Sequence, residues 1–350
     1  MKVLLVGDFV SWSVAMEISY RKAFEAIGCE VLCFDINANI NKHCRLGRVG
    51  RTLNRFLPVE PWIRKANVEL LQMADTFAPD LLVVIATSGV LAGILAQIKV
   101  RVPTVSLVCI YPDGPYNLNQ ERIACLPFFD IVAPSSPAWC DAFEKLGARI
   151  VKYLPFGVDE TLRSPAPTSE RNAEFAHDVT FIGNWRPERE EFLAQLADFD
   201  LAVWGGDAWK KRARPDSLVS ARWGGRALMG AEFALACAQS RIMLNVMDSA
   251  TWPGPNMRVF EQAACRAFSL TTRSSAMTDL FEEGQTIECF DSVEEAREKI
   301  RFYLEHEDAR QRIANASYDF VKKGHTYADR AQQLVNWSSE LRENAASRFA

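Results

Sequence analysis

The chain has 350 residues, 49% hydrophobic and 24% charged, with a formal net charge of −4. That length exceeds what one core usually holds and the apolar fraction fills two, so two globular domains are expected and wholesale disorder is excluded. Lys plus Arg (40) nearly balances Asp plus Glu (44), which excludes a chain built throughout to bind the nucleic-acid backbone. Nine scattered cysteines without a CxxC pair argue against zinc or a redox centre and fit reduced thiols in the cytosol.

Short apolar runs alternate with helical periodicity from the start. The opening KVLLVG (2–7) is too short for a signal-peptide core and reads as a first strand. A helix with Met16, Tyr20, Phe24 and Ile27 on one face follows, then EVLCFD (30–35). Next comes a basic run, Lys42, Arg45, Arg48, Arg51 and Arg55, at steps of three or four, with no acidic residue between Asp35 and Glu60. One reading of it is a surface for an anionic acceptor or an acidic membrane leaflet; the other is a solvated helix face. Residues 81–98 approach the length of a membrane span. Thr87-Ser88-Gly89 breaks them, which favours a buried strand plus helix. TVSLVC (104–109), IVAP (131–134) and VKYLP (151–155) complete the strands of the first half.

A polar stretch with Pro165 and Pro167 reads as a linker over 159–177. Strand-like runs resume at 178–183, 201–205, 242–246, 268–272 and 287–290, again separated by helical sequence, and three helices close the chain. The expected architecture is α/β. It comprises a Rossmann-like domain over 1–158, a second over 178–325, and a last helix over 326–350 that crosses back to the first. Two such domains are expected to leave a cleft between the carboxyl ends of two parallel sheets, where ligands bind in folds of this kind.

Two segments of the second half carry candidate chemistry. In PGPNMRVFEQAACRAFSLTT (253–272), Asn256 is placed to cap a helix that turns Val259, Phe260, Ala263, Ala264 and Ala267 inward. Unpaired amides at that helix start suit a phosphate, Arg258 adds a forked positive charge, and Glu261 suits the vicinal hydroxyls of a ribose. The same Arg and Glu at i, i+3 equally suit an exposed helix face. In FIGNWRPEREEFLAQL (181–196), a strand ends at Gly183, a turn carries Asn184 and Arg186, and Pro187 opens a helix. That is a phosphate cradle or a plain βα turn. Glu188, Glu190 and Glu191 would compete with a bound diphosphate, and Arg186 and Arg189 would have to offset them.

In the first half, Asp8 and Asp113 fall at strand carboxyl ends and are candidate general bases, or loop carboxylates that bind backbone amides. Asp198-Phe199-Asp200 lies before a strand rather than after one and reads as a loop, and the four histidines lack metal-ligand spacing. Two Trp-Gly-Gly runs (204–206 and 223–225) flank a basic stretch from Lys210 to Arg214, either a flap over a ligand or a flexible turn.

The order FIGNWRPERE, MGAEFALACAQSRIMLNV, NMRVFEQAACRAFSLTT and EEGQTIECFDSVEEAREKIRFYLEHEDARQRIANA, then HTYADRAQQLV, closely resembles the C-terminal half of CgeB-type (spore-maturation-protein-like) glycosyltransferases over 178–337. The first half is similar more loosely, through KVLLVGDF, IYPDGP, FFDIVAPSSP and LPFGVD. The resemblance implies the GT-B fold, sugar transfer from a nucleoside diphosphate donor to an acceptor it leaves unidentified, no obligatory metal and no other cofactor. It implies phosphate contacts from Gly183, Asn184, Arg186 and Arg258, with Glu261 on the ribose. Related retaining enzymes carry a further glutamate eight positions before Glu261, where this chain has Pro253, so a donor-sugar contact is missing. A nucleotide-sugar epimerase or a non-catalytic binding protein would share the same fold.

Overall fold

The computed structural model describes residues 1–9, 16–44, 47, 50, 59–85, 89–159, 161–162, 172–214, 216–249 and 251–347. It divides into two compact units, Met1–Pro155 with Tyr327–Ala350, and Phe156–Thr326.

Unit 1 is built on β1 (Lys2–Gly7), β2 (Glu30–Asp35), β3 (Leu81–Ile85), β4 (Ser106–Tyr111) and β5 (Ile131–Pro134). Its helices are α1 (Met16–Ala26), α2 (Ile36–Lys42), α3 (Glu60–Phe77), α4 (Ala92–Arg101), α5 (Gln120–Cys125) and α6 (Cys140–Lys145). The strands lie parallel in the order β2-β1-β3-β4-β5. Apolar residues run on without polar alternation because both faces are covered: Leu4, Val6, Leu82 and Val84 enter one core, and Val3, Leu5, Leu81 and Val83 the other. Within 81–98 the described residues include β3 and the start of α4, and no helix among the described residues is long and apolar enough to cross a membrane. Of the basic run only Lys42 is described; Arg45, Arg48, Arg51 and Arg55 lie outside the described residues.

Unit 2 repeats the plan with β6 (Val179–Ile182), β7 (Leu201–Trp204), β8 (Ile242–Asn245), β9 (Ser269–Thr272) and β10 (Glu288–Phe290), in the order β10-β9-β8-β6-β7 and again parallel. Its helices are α7 (Pro187–Ala194), α8 (Ala208–Arg212), α9 (Gly230–Gln239), α10 (Met257–Ala264), α11 (Ser275–Thr278), α12 (Val293–Glu305) and α13 (Glu307–Lys322). Counted within each unit, both sheets have the order 2-1-3-4-5. The switch point, where successive connections leave for opposite sides, therefore falls between the first and third strands. Phe175, inside the stretch read as a linker, is buried in the core of unit 2. The last helix, α14 (Tyr327–Ser347), belongs to unit 1: Tyr327 packs edge-on against Tyr20 at 5.0 Å, and Arg342 donates to Asp80 at 2.9 Å.

Two strand expectations need correction. The strand expected at 104–109 begins at Ser106, because a turn closed by Val105 N–H on the Val102 carbonyl consumes the preceding residues. Residues 151–155 run beside β5, with Lys152 N–H on Val132 O and Leu154 N–H on Pro134 O, yet contribute only an isolated bridge between Val132 and Val151. Continuing that ladder needs an N–H from position 134, and proline has none.

Candidate functional site

At the switch point of unit 2 the carboxyl ends of β6 and β8 bring together both segments singled out in the sequence. Pro187 starts α7 at no hydrogen-bond cost, which leaves the turn Gly183–Arg186 at the end of β6. Gly183 commits both of its backbone groups: its N–H donates to Trp204 O at 2.9 Å and its carbonyl accepts from Trp209 Nε1 at 2.9 Å. It shapes the turn and offers no free amide. Gly205 lets the two strands' ends approach, since a Cβ there would sit 2.1 Å from the Gly183 carbonyl oxygen. The basic stretch after Trp204 forms α8, pinned to this turn by the buried Trp209.

The β8–α10 connection supplies Asp248, on which two guanidiniums close. Arg186 Nε lies 3.3 Å and Arg189 Nη1 3.2 Å from the same Asp248 oxygen. Arg189 also donates to Val246 O at 2.8 Å and Asn184 O at 3.1 Å, so it cross-braces both loops. The Asp248 and Arg189 side chains are only 8% and 9% exposed, whereas Arg186 is 45% exposed. Burial works against the Asp248 carboxylate, but Arg189, Arg186 and Thr251 outweigh it and hold its pKa below the usual range. Burial lowers the pKa of Arg189; Asp248 opposes that, while Arg186 and Arg258 reinforce it. The three arginines therefore share one field, in which Asp248 is the buried counter-charge to Arg186 and Arg189.

Asn256 caps α10, its Oδ1 accepting from Val259 N–H at 3.4 Å. It is locked in place by a reciprocal amide pair with Asn245 at 3.2 and 3.0 Å. It sets the helix start and is itself buried. Val259, Phe260, Ala263 and Ala264 are buried as their spacing predicts. One turn in, Arg258 Nη1 donates to Glu261 Oε2 at 2.6 Å, and the guanidinium lies 4.7 Å from the Phe233 ring of α9. This i, i+3 pair is not an exposed one: the Glu261 side chain is 9% exposed. Glu190 is turned inward, accepting from Trp185 Nε1 at 2.7 Å and Arg214 N–H at 2.9 Å, and so does not compete for an anion in the turn. Glu188 and Glu191 are exposed. Asp198 pairs with Arg297 and Asp200 with His177, so both serve local structure.

In unit 1, Asp8 and Asp113 follow β1 and β4 and are half-buried. Asp8 accepts from Asn37 Nδ2 at 3.1 Å. Beside it stands a carboxylate the sequence did not single out: Glu17, which accepts from Asp8 N–H at 3.5 Å and packs on Gly7, where a Cβ would meet its Cγ at 2.4 Å. Burial raises the Glu17 pKa, opposed by backbone hydrogen bonds and reinforced by Asp8 and Asp35.

Two parallel five-stranded sheets of identical order with helices on both faces give the chain the α/β GT-B fold. Residues 186–336 match the family described as Glycosyl transferase-like. Solved structures with this fold include HepE of Anabaena in complex with UDP-glucose (TM-score 0.68, 15% identity, covering 97% of this chain and 100% of that one). Sucrose-phosphate synthase of Thermosynechococcus elongatus (TM-score 0.71, 12% identity, 97% and 99% covered) shares it too. So does a glycosyltransferase of Rickettsia africae (TM-score 0.67, 11% identity, 98% and 99% covered). No curated protein matches the sequence significantly.

Proposed function

We propose that the chain is a glycosyltransferase of the CgeB type its motifs resemble, moving a sugar from a nucleoside diphosphate to an acceptor hydroxyl. The observation that carries this reading is the meeting of Arg186, Arg189 and Arg258 at the unit 2 switch point, beside the amides that open α10. The acceptor oxygen bonds to the anomeric carbon, the bond from that carbon to the diphosphate breaks, and the departing diphosphate keeps the electron pair. Arg186, Arg258 and the α10 amides stabilise that charge, so no metal is assigned a role. Glu261 takes the ribose hydroxyls once Arg258 turns from it to phosphate. The acceptor's proton goes to a carboxylate of unit 1, Asp8 or Asp113, or Glu17, whose raised pKa suits a base.

UDP is the first probe, because HepE was crystallised with UDP-glucose. A thermal-shift screen of UDP, GDP, dTDP, CDP and ADP should single out one nucleotide, which at a hundredfold its Kd stabilises by about 2.7 kcal/mol. Glu261→Ala should remove most of that gain. No shift with any of the five would overturn the reading.

Asp8→Asn should lower kcat by about 10²- to 10⁴-fold with nucleotide affinity unchanged if Asp8 is the base. An unchanged rate removes it from the mechanism. Glu17 has its own signature. With its folded pKa raised, the folded chain keeps a proton that the unfolded chain has lost, so its effect on stability turns unfavourable as pH rises from about 4.3 through the folded value. Glu17→Gln should abolish that fall in urea unfolding followed across pH.

A further inference from the structure

A second cationic cavity opens at the other end of the unit 2 sheet, at the amino ends of β8 and β9. Its volume is ≈ 430 Å³, and Arg241, Arg266 and Arg310 line it together with Ser240, Glu307 and Gln311. Arg310 is buried and donates to the Tyr303 carbonyl. Arg266 donates to Asn315 Oδ1 at 2.8 Å and stacks on the Tyr318 ring at 3.6 Å. Among the described residues neither has a carboxylate within ion-pair distance, while Arg241 is paired with Asp178 at 3.3 Å. The carboxylate in the cavity wall, Glu307, is engaged by Gln311 Nε2 at 2.9 Å. The start of the 16-residue α13 faces the same space, and its first-turn Glu307 and Asp308 offset the positive end of its dipole, so the cationic character comes from the arginines.

The backbone also marks Arg266 out. It follows the C-cap of α10 in the left-handed region, φ 55°, at the position where helices ordinarily place glycine. An L residue is strained there, and this one has its guanidinium fixed at the cavity by the ring and amide of α13. We propose that this cavity is a phosphate-binding site, distinct from the candidate donor site at the carboxyl end of β8 and independent of the glycosyltransferase reading. Arg266 and Arg310, the two guanidiniums without a carboxylate at ion-pair distance among the described residues, converge on one cavity with hydrogen-bond donors that match a phosphate or phosphate monoester.

The test is calorimetric titration of the full chain with orthophosphate and with glucose 6-phosphate, at ionic strength held constant with chloride. Saturable binding is expected, weakened at least about tenfold in Arg266→Gly, which removes one charge-assisted partner. Because glycine relieves the left-handed strain, the Tm of Arg266→Gly should hold or rise, which separates lost binding from lost folding. Arg186→Ala, in the donor turn, should keep the saturable phosphate binding that Arg266→Gly loses. Pelleting with phosphatidylglycerol vesicles that Arg266→Gly abolishes would support the site with a lipid headgroup as the source; binding of the soluble ligands alone would support it with a free one. No saturable heat up to about 10 mM ligand, with no such pelleting, overturns the proposal. Equal binding by Arg266→Gly, or loss in Arg186→Ala alone, overturns it as well.

Discussion

Asp248→Ala is expected to destabilise the protein by roughly 3–5 kcal/mol, the scale for breaking a buried ion pair by removing one partner. The cause is what remains: the Arg189 guanidinium, 9% exposed, would keep its positive neighbours Arg186 and Arg258 and lose the carboxylate that offsets them. Urea unfolding at neutral pH measures the loss. The double variant Asp248→Ala/Arg189→Met should recover most of it, because an apolar side chain of similar length leaves no stranded charge. A deficit in the double variant as large as in the single one would show that the carboxylate matters for its Thr251 contacts instead. The pH dependence has a fixed sign. The folded pKa of Asp248 is depressed, so its stabilisation is complete above the unfolded value of about 3.9 and is lost as pH falls through the folded value. The gap between native and variant should therefore close in acid.

The repeated sheets were legible because parallel strands buried on both faces are near-continuously apolar, as the runs at 3–6, 81–85 and 242–244 are, with Thr180 alone interrupting 179–182. The α10 start was legible too, since an asparagine before an inward-facing apolar stripe has a local meaning. Asp248 was not. It meets Arg186 across 62 positions, and nothing in the spacing of an Asp in a loop signals which distant cation it will face. Glu190 shares that difficulty from the other side, since a glutamate in a first helical turn reads as solvated until the distant Arg214 amide closes on it. The Arg258–Glu261 pair was legible from its i, i+3 spacing, but its burial was not. Glu17 acquires its raised pKa first from burial and then from Asp8 and Asp35, which follow or end two different strands, a juxtaposition that the β1–β2 register creates. Pro134, by contrast, was visible in the sequence and sufficed to break the ladder beside it, a negative signal that the apolar run at 151–155 masked.

Arg258→Ala is expected to lower kcat by about 10²- to 10³-fold, the cost of removing one preorganised donor to developing charge, and to weaken nucleotide binding by about 10- to 100-fold. It also strands Glu261 in a buried position, so its fold must be checked by circular dichroism and its loss compared with Arg258→Lys, which keeps the charge near Glu261 but not the fork. A lysine variant that folds like the native protein and still loses most of the rate assigns the loss to bidentate phosphate contact. Glu261 is tested by a cycle in the ligand as well as the protein. If its carboxylate holds the ribose, UDP and 2′-deoxy-UDP should differ in affinity for the native protein and bind Glu261→Gln nearly alike, because the variant and the deoxy ligand remove the same interaction. Additive losses would instead separate Glu261 from the ribose and leave it as the partner that keeps Arg258 in place, with the nucleotide seated on the arginines alone.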